Sequence, residues 1–289
     1  MPKIAVVAVL FLFFAGLAFA QDVETPAAPE APAAESVEPA QPPAVIDGMT
    51  AEDLLRKWSE KYAAAQTYYE ESDVAVTMDM GGERQEQKIL LTAAFKRPDR
   101  VKIDLAGPGN VTLSYENGQV TFLDRDQNRY GVDSGVTLAD LAAQLQDVGL
   151  DATPISPDPY AAIKAEVVKV NDIKTAEFAG KEVYQIDVEK NGGLTVANYF
   201  DKKTLYLIGM VSNVTMPLPQ GGIGAFTLAK TASNVMIDEF PKTADGADVD
   251  VFAFVIPEGA VKAEEPAPEM EEPQEEESTD SVLEIPEGQ

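Results

Sequence analysis

The chain contains no His and no Cys. That removes the Ser-His and Cys-His pairs that activate nucleophiles, and with them the commonest transition-metal ligands. What remains for acid–base work is carboxylate, with 49 Asp and Glu against 22 Lys and Arg and a net charge of -27. Most of these carboxylates fall on the predicted solvent faces of strands, so no glycosidase-like pair can be picked out. Asp124-Arg125-Asp126-Gln127-Asn128 has the opening spacing of a calcium loop. Such a loop needs Gly at its sixth position and Glu at its twelfth, where this chain has Arg129 and Gly135. Gly221-Gly222-Ile223-Gly224 carries half of a dinucleotide-binding glycine pattern, but it precedes a strand rather than a helix. No catalytic residue, cofactor or metal is expected. Nucleic acid is not an expected partner either, since its binding needs clustered Lys and Arg.

If the chain does little chemistry, its apolar pattern must carry the function. From Tyr68 to Leu105 the sequence alternates with period two. Ser72, Val74, Val76, Met78 and Met80 share one face, and Asp73, Ala75, Thr77 and Asp79 share the other. After Gly81-Gly82, Ile89, Leu91, Ala93 and Phe95 repeat the pattern with Gln87 in phase. After Pro98, so do Val101, Ile103 and Leu105. Period two predicts long antiparallel strands with one apolar face. Thr50-Ala51-Glu52-Asp53 predicts a capping box opening an amphipathic helix through Leu54, Leu55, Trp58, Tyr62 and Ala65, with Trp58 packed on the sheet.

Further along, Val111, Leu113 and Tyr115 alternate up to Asn117-Gly118, a strong hairpin signal, and Val120 to Arg125 returns through Phe122. Arg129 to Asp133 adds a short strand. Leu138, Leu141 and Leu145 mark a helix, a Pro-rich crossing follows, and Pro159 to Lys164 allows a short second helix. Six strands are then expected: Val167 to Phe178, Lys181 to Lys190, Leu194 to Phe200, Leu205 to Val214, Thr227 to Ile237 and Val249 to Val255. The expected class is mainly β (α+β). One curved antiparallel sheet forms a half-open β-barrel, with an N-terminal helix and helical lid segments over its concave face.

The two ends differ in character. Residues 1–20 read as a signal peptide, with Lys3, an apolar run from Ile4 to Leu17, and Ala18-Phe19-Ala20 as the cleavage site, so export to the periplasm and cleavage after Ala20 are expected. With no Cys, the exported chain can carry neither a lipid anchor on Cys nor a disulfide. Residues 21–49 are rich in Ala, Pro and Glu and are expected to be a disordered linker. Residues 50–261 form the expected folded domain. Residues 262–289 hold eleven acidic residues against one Lys and are expected to be a disordered acidic tail, read first as a solubilising extension.

The order of these elements resembles a known family. The stretches that carry it are Phe95-Lys96-Arg97-Pro98-Asp99-Arg100-Val101, Glu116-Asn117-Gly118-Gln119 before Val120, Asn128-Arg129-Tyr130-Gly131-Val132, Phe200-Asp201, Val251-Phe252-Ala253-Phe254 and Pro257-Glu258-Gly259-Ala260. The chain resembles the outer-membrane lipoprotein carrier (LolA) and related periplasmic proteins of the lipoprotein-sorting type. That resemblance implies a half-open barrel with helical lids over an apolar cavity that accepts acyl chains. It also implies that Arg97 helps hold the lid.

The function expected is a non-catalytic periplasmic carrier or sensor, binding lipid, acyl chains or lipoproteins, with at most transient membrane contact. Its cavity-lining candidates are Trp58, Val74, Val76, Met78, Met80, Ile89, Leu91, Phe95, Val101, Ile103, Leu105, Leu113, Tyr115, Phe122, Leu141 and Leu145. The alternative is an envelope protein-interaction module with a filled core, binding through the barrel rim and the acidic tail. An envelope hydrolase is the remote third reading.

Overall fold

The computed structural model describes residues 42–80, 83–147, 152–190, 194–217 and 223–263. The expected signal peptide, most of the linker and all but the first residues of the acidic tail lie outside the described residues. So do Gly81-Gly82, Gly221-Gly222, the Asn191-Gly192-Gly193 turn and the side chain of Met80.

Helix α1 spans Ala51–Ala64 and opens with the capping box that its sequence calls for. The Thr50 hydroxyl accepts from the Asp53 amide at 3.1 Å, and the Asp53 carboxylate accepts from the Thr50 amide at 3.2 Å. Six strands follow: β1 (Thr67–Met80), β2 (Glu83–Lys96), β3 (Arg100–Ala106), β4 (Val111–Glu116), β5 (Gln119–Asp124) and β6 (Arg129–Ser134). The helical insert comprises α2 (Leu138–Asp147), a 3-10 turn (Thr153–Ile155) and α3 (Pro159–Glu166). Strands β7 (Val167–Val170), β8 (Lys174–Phe178), β9 (Lys181–Lys190), β10 (Thr195–Asp201), β11 (Leu207–Pro217), β12 (Ile223–Ile237) and the short β13 (Val261–Lys262) complete the chain.

All strands join one curved, unclosed sheet in the order β13-β6-β5-β4-β3-β2-β1-β12-β11-β10-β9-β7, with β8 also on β9. The long apolar arms read from the sequence lie at its centre. Every pairing is antiparallel except β13 on β6, which is parallel. The Asn117-Gly118 turn has both residues at positive φ, 52° and 80°, as a two-residue hairpin of matching twist requires. Ala179-Gly180 turns the same way, at 49° and 74°.

Two strand expectations are corrected. Val167 to Phe178 is two strands, both antiparallel to β9, because the ladder is interrupted at Asn171–Ile173, where the Asn171 amide still donates to the Asp187 carbonyl at 2.9 Å and Ile173 is buried. Val249 to Val255 is an irregular strap. It crosses the convex face, where Phe252 packs on Tyr69 and Ala94, the Arg100 guanidinium lies 4.7 Å from the Phe252 ring, and Lys102 donates to the Ala253 carbonyl at 2.8 Å. Anchored by one aromatic side chain and by cations from β3, the strap carries the chain to the β6 edge without joining the ladder on its way.

The concave face carries the main core. Leu54, Leu55, Trp58 and Tyr62 from α1, Leu141 and Leu145 from α2, and Ile155 from the 3-10 turn pack on the inward residues of the sheet. Ile46 and Met49 pair through backbone hydrogen bonds ahead of α1, and Met49 is buried in the same core.

Candidate functional site

The central strands present their even-numbered β1 residues and odd-numbered β2 and β3 residues inward, as alternation dictates. Val74, Val76, Leu91, Phe95, Val101, Ile103, Leu105, Leu113, Tyr115 and Phe122 join one buried cluster with Trp58, Leu141 and Leu145, and Ile89 packs against it half-buried. Met78 is buried but lies outside that cluster. Gln87, in phase with the inward set, is exposed, because the far end of the β1–β2 hairpin projects beyond the helical cover.

Within this packing a cavity of about 40 Å³ remains on the concave side. Of the sequence candidates, Leu91, Phe95, Val101, Ile103 and Leu145 line it; Trp58, Val74, Val76, Leu105, Leu113, Tyr115, Phe122 and Leu141 belong to the packed core around it. Its remaining walls are Tyr68, Glu70, Ala93, Ala94, Pro154, Ile155 and Lys230. Pockets that enclose small molecules usually measure roughly 300–1,000 Å³. The described conformation is therefore a closed one, with room for a few waters.

The floor of the cavity holds a buried polar group that sequence reasoning missed. Lys230 Nζ on β12 lies 2.8 Å from Glu70 Oε1 on β1, with side chains 6% and 4% exposed. The hydroxyls of Tyr68 and Ser72 both donate to the same carboxylate. A buried charge pair persists only where good geometry and further hydrogen bonds offset desolvation, and here two hydroxyls supply them. A β-bulge lies alongside: the register slips between Glu71 and Ser72, and the Ser233 hydroxyl donates to the Glu71 carbonyl at 3.1 Å. A signal was present, since Tyr68 and Glu70 extend the inward phase of β1, and Lys230 continues that of Phe226 and Leu228.

An aromatic line runs from the cover to this group. Phe200 and Trp58 lie 5.4 Å apart between ring centres, Trp58 and Tyr62 5.3 Å, and Tyr62 and Tyr68 5.4 Å. The Trp58 Nε1–H is buried without a hydrogen-bond partner among the described residues, a state that costs about 1–3 kcal/mol.

The cover is fastened unevenly. Arg97, at the end of β2, donates through Nε to the Ala65 carbonyl at 2.8 Å and through a terminal nitrogen to the Tyr62 carbonyl at 3.3 Å. Lys61 donates to the Thr204 carbonyl at 2.7 Å, and Tyr160 of α3 donates to Glu52. These contacts tie α1 to the sheet and to α3. Helix α2 and the 3-10 turn sit on the sheet through Leu141, Leu145 and Ile155. Ahead of α1, the Tyr184 hydroxyl donates to Asp47 at 2.7 Å; burial first, and then the Asp47 carboxylate, push its pKa up to about 12. In the Asp124–Asn128 turn, Asp124 accepts from the Gln127 amide and Asp126 from the amide and side chain of Asn110.

Residues 51–196 match a family described as Predicted periplasmic protein (DUF2092). No similar sequence was found among curated proteins. Among solved structures, the chain is similar to a LolA superfamily protein from Nitrosomonas europaea, with 10% identity, 67% of this chain and 96% of that one covered, and a TM-score of 0.29. It is similar to a domain assigned to outer-membrane lipoprotein sorting from Vibrio parahaemolyticus, with 7% identity, 67% and 94% coverage, and a TM-score of 0.30. It is also similar to a chain of the MucA/MucB complex of Pseudomonas aeruginosa, with 13% identity, 68% and 59% coverage, and a TM-score of 0.32.

Proposed function

The chain belongs to the DUF2092 family of periplasmic proteins, and from that premise we propose that it is a non-catalytic carrier or sensor of lipids or acylated proteins, holding an acyl chain against its concave face. The observation that carries this reading is the cavity between the central strands and the residues Leu145, Pro154 and Ile155. Apart from Glu70 and Lys230 at its floor its lining is largely apolar, and its cover, α2 and the 3-10 turn, is seated by a few aliphatic side chains. Lifting that cover exposes Leu91, Phe95, Val101 and Ile103 together.

The energetics are adequate. Burying a chain of about 14 methylenes is worth roughly 11 kcal/mol gross, at about 0.8 each. Association and displacement of Leu141, Leu145 and Ile155 oppose it, and the remainder sets the affinity. The test is native mass spectrometry of residues 21–289 purified from the periplasm without detergent, repeated after incubation with phospholipid and with an acylated peptide. A stoichiometric lipid or acylated adduct is expected. An unliganded mass in every sample overturns the reading.

A second reading, an envelope protein-interaction module, is favoured by one feature. The strap leads to β13 on the β6 edge, so the start of the acidic stretch in the sequence, at Lys262 and Ala263, lies at the rim of the sheet. Deleting residues 264–289 separates the two: a carrier keeps its ligand, whereas a tail-dependent adaptor loses its partner.

A further inference from the structure

We propose that the outer edge of β6 is a docking site for an extended segment of another protein, one that alternates apolar and basic residues and takes the place of β13. This rests on the second reading, the interaction module, for which it names the site and the kind of partner. It does not depend on acyl binding.

An unclosed sheet has two edges, and here they are not alike. At the β7–β8 edge the strands are short, a bulge breaks β7 between Val167 and Lys169, and the Ala44 amide donates to the Asp172 carboxylate between the two strands at 3.0 Å. Such features blunt an edge against further pairing. Strand β6 lacks them. It has no Pro and no bulge in its pairing with β5, and β13 covers it only at Arg129 and Tyr130. The Val261 amide donates to the Asn128 carbonyl at 2.9 Å and the Ala263 amide to the Tyr130 carbonyl at 2.7 Å, so the even-numbered residues of β6 turn their backbone groups outward. Val132 and Ser134 continue that row, and no described strand pairs with them there.

The seat of β13 shows what this edge takes, an extended chain, and how lightly the present occupant is held. β13 is two residues long and parallel to β6, a pairing that holds slightly less well per residue than the antiparallel one. Val261 is 62% exposed, and on the strap leading to it Val255 is 80% exposed, so little apolar burial holds this end down. The strap's own fastening, Phe252 on Tyr69 and Ala94, lies upstream and is untouched by release of β13.

Side-chain chemistry defines the partner. Gly131 stands opposite the buried Phe122, and a Cβ built on Gly131 meets nothing within 4 Å. An apolar side chain of an added strand fits over that glycine beside Phe122, which calls for apolar residues at alternate positions. Asp133 lies in the stretch that β13 leaves uncovered, and displacing β13 takes Lys262 off the edge. The sequence after Ala263 begins with Glu264-Glu265, in a chain of net charge -27. Basic residues between the apolar ones answer that charge and are steered to it.

Fluorescence anisotropy with residues 21–289 tests the site. The probes are three labelled peptides: alternating Val and Lys, alternating Val and Glu, and the Val-Lys peptide with every amide nitrogen methylated, which keeps the side chains and donates no strand hydrogen bond. The wild type is expected to bind the Val-Lys peptide at least about tenfold more tightly than either of the others. Val132→Pro removes an amide that points away from β5, at an edge position where Pro is tolerated, and is expected to weaken Val-Lys binding by about tenfold with the melting temperature held. Val261→Pro removes the amide that ties β13 to Asn128 and is expected to tighten binding, because the competing strand is loosened; a merely structural edge gives no such gain. Should Val132→Pro not fold, the methylated peptide and Val261→Pro still decide. Equal binding of the methylated peptide, or an affinity that neither substitution changes, overturns the edge site and leaves a charge-driven interaction module standing. Equal or tighter binding of the Val-Glu peptide overturns the basic partner. No binding of any peptide overturns the edge site, and the module reading is then judged by the deletion of residues 264–289 alone.

Discussion

Arg97 and Ala65 are joined across the edge of the barrel by a 2.8 Å hydrogen bond from the guanidinium to the carbonyl that ends helix α1. The second bond, to Tyr62, and the Phe95 ring 5.1 Å beneath the guanidinium fix the fork in place. Lysine cannot reproduce that arrangement, because its ammonium offers a point charge and not a planar fork. Arg97→Lys and Arg97→Leu are therefore both expected to destabilise the domain, by about 1–3 kcal/mol for Arg97→Leu, the range for hydrogen bonds from a charged donor. Urea denaturation measures it. Hydrogen exchange should place the loss at the C-terminal turn of α1, and an unchanged exchange rate there would show that the other contacts of α1 fasten that turn without Arg97.

Leu141 is fully buried and holds α2 on the sheet. Truncating a Leu in such a site costs about 2–5 kcal/mol in a rigid core. If α2 opens away from the sheet on its own, part of that cost appears as local opening and not as global unfolding. Leu141→Ala is expected to accelerate amide exchange in α2 and to speed ligand release, while β1–β5 stay protected. Exchange that rises equally in α2 and the central strands would mean that the cover and sheet unfold together.

The same inward phase explains what could be read in advance and what could not. Val74, Val76, Leu91 and Ile103 declare their face through alternation alone, and Thr50 with Asp53 declares the start of α1 through spacing alone. Glu70 carries the same positional signal, but a charged strand residue defaults to solvent unless its counter-charge is known, and Lys230 is brought beside it only by the pairing of β1 with β12. The strap is the converse case. Val249 to Val255 has strand composition, yet Phe252 reaches Tyr69 and Ala94 on the convex face, a tertiary contact that displaces local propensity. Filling of the concave face was equally hidden, since the volume left between two apolar layers depends on their separation and not on their pattern.

Gly209 on β11 is a further position where tertiary packing decides. A Cβ there would fall 2.1 Å from the Phe178 ring, which stacks on Tyr199 with centres 4.2 Å apart. Gly209→Ala is expected to destabilise by about 1–3 kcal/mol, the usual cost of overpacking. Phe178→Ala in the same chain should recover most of that loss, and a double-mutant cycle by thermal denaturation measures the coupling. Additive losses would place the strain elsewhere.

The capping box makes a pH prediction. The Thr50 hydroxyl first, then the Thr50 amide and Arg56, lower the Asp53 pKa from 3.8 to about 2. A carboxyl depressed on folding contributes stability above its unfolded value, and that contribution is lost as pH falls through the folded value. The Asp53 contribution is therefore complete above pH 4–5, declines below about 4, and is gone near 2. Carbon-detected titration of the Asp53 carboxyl should give a midpoint near that depressed value. Thr50→Ala, which removes the hydroxyl and keeps the amide, should move the midpoint part of the way back up. The stability difference between wild type and Asp53→Asn should shrink across the same window. A midpoint in the ordinary carboxylate range in both proteins would show that the box is open in solution and that α1 starts without it.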